Sequence, residues 1–293
     1  MTPASITRRL LYVLATSDRF AAAVRGIPPL WRAAYKQARR YVAGERLEDA
    51  IALASRLDHE RIAASLDFFG EQVAAPEAAQ EAADAFVSLA SALDDLPDST
   101  YLAIDLSHIG LDVGSDFCRR QLERIAGALP PGRRIDIGAE DSGRTEAAQR
   151  VALDAAHAGA PLQMTLQANL RRSSGDWPRL VEAGIAIRLV KGAYLERPEI
   201  AFPFGTETEL AYLRLANALH ESGAQLALAT HDAVIREALL LAFGPTPIEM
   251  LLGVRSEDAD DLVRRRIPVR LYVPYGNGWF RYWMRRIAEA RGA

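Results

Sequence analysis

Eight short apolar stretches recur along this chain, each ending in polar residues, and most are followed by an alanine- and leucine-rich helical stretch. They cover residues 62–69, 101–106, 134–137, 162–166, 186–190, 225–229, 248–252 and 269–273. Successive starts lie roughly 20 to 40 residues apart, enough for one crossover helix between parallel neighbours. Eight strands in that alternation predict an α/β fold, a TIM-like (β/α)8 barrel. A doubly wound open sheet is the competitor, and the lack of a G-x-G-x-x-G run after the first strand weakens it. Residues 1–60 read differently. Alanine, leucine and arginine at spacings of three and four predict helices there. Turns fall at Gly26-Ile27-Pro28-Pro29 and near Ala43-Gly44-Glu45. The expected division is a helical segment, 1–60, packed on a barrel formed by 61–293.

Composition narrows the function classes. A formal net charge of −3, with arginine pairs scattered rather than gathered in one tract, gives no reason to expect nucleic acid as a partner. Cys118 is the only cysteine, so there is no intramolecular disulfide and no cysteine metal cluster. A cytoplasmic location is the simplest expectation. The apolar run from Leu10 to Ala15 follows two arginines but is too short to span a bilayer, and reads as part of an amphipathic helix.

A parallel barrel places its chemistry at the C-terminal ends of its strands. The polar residues there include Glu71, Asp105, Ser107, His108, Glu140, Asp141, Gln167, Asn169, Lys191, Tyr194, Thr230, His231, Asp232 and Tyr272. Lys191 is one of only two lysines, the other being Lys36. Arg285 and Arg286 lie on the last helix. Two guanidinium forks can clamp a carboxylate from two sides. Glu289 lies four residues after Arg285 and three after Arg286, within helical pairing distance of both. Taken alone, each of these residues has a bland reading, as a solvated face, an ion pair or a packing group.

Their joint order carries a resemblance. RLVKGAY at 188–194, ATHD at 229–232, LLGVR at 251–255, YVPYG at 272–276 and RRIAE at 285–289 are similar to the motifs of the monofunctional proline dehydrogenases, FAD-dependent barrel enzymes also found fused in proline-utilisation proteins. LDFFGE at 66–71, AED at 139–141 and LQANLRR at 166–172 are weaker matches. The resemblance implies that 61–293 is an FAD-binding barrel that oxidises L-proline, or a close cyclic secondary amine, to the imine. For proline the product is pyrroline-5-carboxylate. It implies FAD contacts from Ala139, Gln167, Arg188, Val190, Lys191, Gly192, Ala193, Thr230, His231 and Glu249. It puts Arg188 beside the flavin N5, with Tyr272 as its partner in catalysis. Substrate contacts are implied for Asp105, Tyr194, Leu251, Tyr272, Arg285, Arg286 and Glu289. A quinone or another acceptor would take the electrons, which admits peripheral contact with the inner face of the membrane. No metal is implied.

Three positions depart from the family pattern. Asp105 stands where the family usually has lysine, Gly138 where it usually has aspartate, and Glu249 where glutamine is common. Asp105 is expected to replace the missing acid by pairing with Arg285 or Arg286. The altered pocket keeps open another amine substrate or a catalytically weak sensor of small carboxylates. Two other readings rest on single residues: a Schiff-base aldolase using Lys191, and a metal-dependent hydrolase using His231, Asp232, Glu140 and Asp105.

Overall fold

The computed structural model describes residues 18–70, 72–192 and 194–290, with side chains described from Phe20 to Ile287. Three helices come first: α1 (Asp18–Arg25), α2 (Pro28–Ala38) and α3 (Leu47–His59). Proline in the first turn of α2 suits a position whose amide has no helical partner, and it fixes the expected turn between α1 and α2. The strands are β1 (Ala63–Phe68), β2 (Tyr101–Ile104), β3 (Ile135–Ile137), β4 (Leu162–Gln167), β5 (Ala186–Val190), β6 (Leu226–Ala229), β7 (Ile248–Leu251) and β8 (Val269–Tyr275). Between them run α4 (Pro76–Ala92), α5 (Ser115–Gly127), α6 (Ser142–His157), α7 (Ser173–Glu182), α8 (Thr206–Glu221), α9 (Ala233–Phe243) and α10 (Ser256–Arg264). The chain continues from β8 into α11 (Trp279–Ala290).

All strand pairings are parallel, and β1 pairs with both β2 and β8, so the sheet closes as a barrel in sequence order. The predicted barrel is the one formed. Most strand ends fall within one residue of the expected ones; β2 stops two residues short, at Ile104, and β8 runs two residues beyond its expected end, where it pairs with β1 through Asp67 opposite Pro274 and Phe68 opposite Tyr275.

Along each strand, alternate residues face opposite sides. Leu66, Leu102, Ile104, Ile137, Met164, Leu189 and Met250 belong to a core shared with the helices. The other face points into the lumen, which here is polar rather than filled by branched aliphatic side chains. Gln163 on β4 donates to Glu249 Oε1 on β7 at 2.8 Å. Arg188 on β5 donates through Nε to Glu249 Oε2 at 2.7 Å and lies 3.9 Å from Asp136 on β3. Bonds between strands that are not neighbours in the sheet are made across the lumen.

The N-terminal helices sit against the end of the barrel through a second apolar cluster. Val24, Ala34 and Ala38 pack with Trp279, Phe280, Tyr282 and Met284 of α11. The linker before α3 is tied to the end of β8: Ala43 N donates to Pro274 O, and Gly276 N donates to Gly44 O, both at 2.9 Å. Among the described residues, no helix is long and apolar enough to cross a membrane.

Candidate active site at the carboxyl end of the barrel

The carboxyl ends of β8, β1, β2 and β3 form an acidic corner. Tyr272 donates its hydroxyl to Asp67 on the neighbouring strand. Burial, reinforced by the negative charges of Asp67 and Asp105, pushes the Tyr272 phenol well above its ordinary pKa. The ring therefore stays protonated and acts as a donor. Asp105 lies just past β2, over the glycine that follows β3: a Cβ added at Gly138 would fall 1.9 Å from Asp105 Oδ1. The carboxylate thus uses space that any larger residue at 138 would fill. Nearby, Glu140 accepts the Ser107 amide at 2.8 Å, and Gln167 donates to the Glu140 carbonyl at 2.8 Å. Tyr194 donates to the Ala139 carbonyl at 2.9 Å, which closes the loop after β5 over the end of β3.

The ends of β4, β5 and β6 form a different surface. Gly192 has φ of +137°, and a Cβ there would lie 2.1 Å from Asn169 Oδ1. Only glycine fits. Asn169 Oδ1 and His231 Nδ1 are buried and have no hydrogen-bond partner among the described residues. His231 Nε2 accepts the Leu251 amide at 3.2 Å, so the neutral ring carries its proton on Nδ1. Burial, with Arg286 and Arg255 nearby, lowers the His231 pKa to about 4, so the ring is neutral at ordinary pH. Thr230 beside it is buried. Lys191 is held by Asp232 at 2.7 Å and Glu209 at 3.1 Å. Asp232 also caps α9 by accepting the Val234 and Ile235 amides. Two buried polar atoms without partners, flanking a glycine that permits close approach, suit a large polar group laid across β4 to β6.

Beneath this surface Arg188 stays cationic. Burial works against its charge, but Asp136 and Glu249 outweigh it. Glu249, 5% exposed, is thus a lumen residue whose carboxylate is taken up by Gln163 and Arg188.

Helix α11 brings the arginine pair to the mouth. The Arg286 guanidinium lies 4.8 Å from the Tyr282 ring centroid, and the Tyr282 and Tyr272 centroids are 6.1 Å apart. The charge of Arg286 is also felt at His231. The acidic corner, the β4–β6 surface and α11 therefore enclose one site.

The chain matches the proline dehydrogenase family over residues 50–293. It is 32% identical to proline dehydrogenase 1 of Bacillus subtilis over 263 residues, which is 86% of each chain. It is 34% identical to the proline dehydrogenase of Deinococcus radiodurans over 265 residues, again 86% of each. This chain belongs to the proline dehydrogenase family. Among solved structures, it is similar to a proline utilization A (PutA) from Bdellovibrio bacteriovorus inactivated by N-propargylglycine, with TM-score 0.84 and 16% identity. That likeness covers 99% of this chain and 37% of the other, so the chain spans little more than a third of that protein, and the likeness concerns the fold. A bifunctional PutA gives TM-score 0.76 at 20% identity, covering 94% of this chain and 32% of that one.

Of the residues the resemblance singled out, Asp105, Ala139, Gln167, Arg188, Val190, Lys191, Gly192, Tyr194, Thr230, His231, Leu251, Tyr272, Arg285 and Arg286 fall on the elements around this site. Glu71, Ala193 and the side chain of Glu289 lie outside the described residues. Two contributors, Asp67 and Tyr282, were not singled out from the sequence. Asp67 lay inside the quoted LDFFGE motif; Asn169, inside LQANLRR, was named only as a polar strand-end residue. Tyr282 precedes Arg285 by one helical turn, a spacing that signals a shared face.

Proposed function

We propose that this member of the proline dehydrogenase family oxidises L-proline, or a close cyclic secondary amine, with FAD as its resident cofactor. The observation that carries the reading is the enclosure of one barrel mouth by an arginine-bearing helix on one side and the partnerless atoms of Asn169 and His231 on the other. The residues fit a flavin. Gly192 would let it approach, His231 Nδ1 would donate to it, and Gln167, Ala139, Val190 and Thr230 would line it. Lys191 adds positive charge while it remains tied to Asp232. The chemistry a bound flavin supplies is acceptance of the hydride leaving the carbon next to nitrogen.

The chain's own residues do the rest. Arg285 and Arg286 hold the substrate carboxylate. Tyr194, Leu251, Tyr272 and Tyr282 shape a pocket around the ring. Asp67 fixes the Tyr272 hydroxyl. Asp105 places a carboxylate beside it. Arg188, locked by Glu249, presents a buried cation that stabilises negative charge delivered to the cofactor. Loss of a hydride from carbon and a proton from nitrogen leaves the cyclic imine, pyrroline-5-carboxylate when proline is the substrate. The electrons pass to a quinone or another acceptor, in the cytoplasm or at the inner face of the membrane. In this reading residues 61–293 are the FAD-binding barrel and residues 1–60 a helical segment packed on it, whose described helices meet α11.

An anaerobic visible spectrum of the purified protein, taken before and after L-proline, tests this. Flavin bands that bleach on addition are expected. Bands that persist with every cyclic amine would leave a flavoprotein without this activity, and a colourless protein that cannot be reconstituted with FAD would remove the cofactor assignment.

A further inference from the structure

The opposite end of the barrel is also open. A cavity of about 400 Å³ lies among the starts of the strands, lined by Tyr101, Arg134, Gln225, Pro247, Pro268 and Arg270, with Glu249 in its wall. This is far more room than one water needs, about 30 Å³, and falls within the usual range for small-molecule sites.

The cavity has a cationic side and an apolar side. Tyr101 is flanked by two guanidinium groups, with Arg270 3.5 Å and Arg134 5.7 Å from its ring centroid. Arg270 is anchored, its Nη1 donating to the Ala64 and Ser99 carbonyls. Arg134 is less committed: its Nη2 donates to Gln225 Oε1 at 2.7 Å, leaving its Nε and Nη1 edges, with the Gln225 amide, as donors toward the opening. Glu249 offsets the charge of Arg270, 3.7 Å away, and its oxygens are also engaged by Gln163 and Arg188. Arg134 therefore supplies the cation of this wall. Ala63, Pro247, Pro268 and Val269, at the starts of the adjacent strands β1, β7 and β8, form an apolar arc.

We propose that this cavity is a second ligand site, distinct from the catalytic mouth, for a small carboxylic acid with a flat apolar body. The carboxylate meets the open edge of Arg134 and the Gln225 amide, and the body lies against the prolines and the Tyr101 ring. A compact inorganic anion gains nothing from the apolar arc, and a neutral hydrocarbon leaves the guanidinium edge without a partner.

The probe is 4-fluorobenzoate, followed by fluorine NMR on the intact chain. The Arg285→Ala/Arg286→Ala variant removes carboxylate binding at the catalytic mouth and isolates the second site. Saturable binding of one equivalent to that variant is expected. Adding Arg134→Glu should weaken it roughly tenfold or more, by replacing a charge-assisted donor with a repelling carboxylate. Gln225→Glu should weaken it as well, because the new carboxylate ties up Arg134. Both positions lie at the cavity opening, and circular dichroism of each variant confirms that it is folded. Binding that vanishes with Arg285 and Arg286, or that survives the charge reversal at Arg134, would overturn the proposal.

Discussion

A methyl group at Gly138 would fall 1.9 Å from Asp105 Oδ1, closer than any real Cβ contact, and Gly138 is not in the left-handed region that favours glycine. The only cost of Gly138→Ala is therefore the collision with Asp105. That change should destabilise the protein by about 1–3 kcal/mol, the usual penalty for overpacking. In an Asp105→Ala background it should be nearly neutral. Urea denaturation of the two single variants and the double variant closes the cycle. Additive effects would mean that the two residues do not share one volume, whereas a coupling of about 1 kcal/mol or more is expected for groups in contact. The sequence identified both positions as departures from the family pattern but could not join them. They lie 33 positions apart and meet only because β2 and β3 are neighbours that pair Ile104 with Ile137. Tyr282 was legible by its helical spacing from Arg285. The partnerless atoms of Asn169 and His231 were not, since burial is a property of the folded chain.

At the scale of one element, α11 depends on the N-terminal helices for its position. Trp279 at its start is fully buried, donates its indole N–H to Glu45 Oε1 at 3.0 Å, and lies 4.4 Å from Trp31 and 5.0 Å from Tyr35 between ring centroids. Glu45 sits next to Gly44, whose carbonyl is bonded to the end of β8. The anchor of α11 is therefore registered to the strand that carries Tyr272. Trp279→Ala should cost about 3–5 kcal/mol, as loss of a buried aromatic does. In the residual folded protein it should raise KM for proline more than it lowers kcat, because the proposed arginine clamp is displaced while the surface at the ends of β4 to β6 is untouched. Denaturation midpoints and steady-state kinetics measure the two effects. An unchanged KM would mean that α11 is held by its contacts with the barrel alone. The helices between Asp18 and His59 were legible from apolar spacing and from the turn at Gly26 to Pro29; the expected helix at Leu10 to Ala15 lies outside the described residues. Their role was not, because the partner of their aromatic face lies more than two hundred residues away in the chain.

At the scale of the whole molecule, the barrel was legible in the recurrence of strand and helix, but its charged lumen was not. Gln163, Thr165, Arg188, Glu249 and Arg270 alternate with apolar neighbours along their strands, a period-two signal that was present in the sequence. It is easily passed over when short strands are scored for apolar content, because barrel interiors are usually aliphatic. The consequence is a dependence of stability on pH. Burial, followed by the negative charge of Glu249, raises the Asp136 pKa from 3.8 to about 7. The folded chain then binds this proton more tightly than the unfolded chain does. Stability from Asp136 is therefore greatest at low pH, declines as pH rises from about 4 to about 7, and levels off above that, with a total change on the order of a few kcal/mol. Asp136→Asn, which cannot ionise, should flatten that part of the profile. Glu249→Gln acts on two terms at once. It removes the charge that holds Arg188, a loss of about 3–5 kcal/mol for a buried pair broken on one side. It also removes one of the causes of the Asp136 shift, so the remaining decline should end at lower pH. Urea titrations at a series of pH values, for the unaltered protein and both variants, separate the two effects: the first lowers the whole curve, and the second moves its shoulder. A shoulder that stays in place in Glu249→Gln would mean that burial alone sets the Asp136 proton, and that the lumen does not titrate as one connected network.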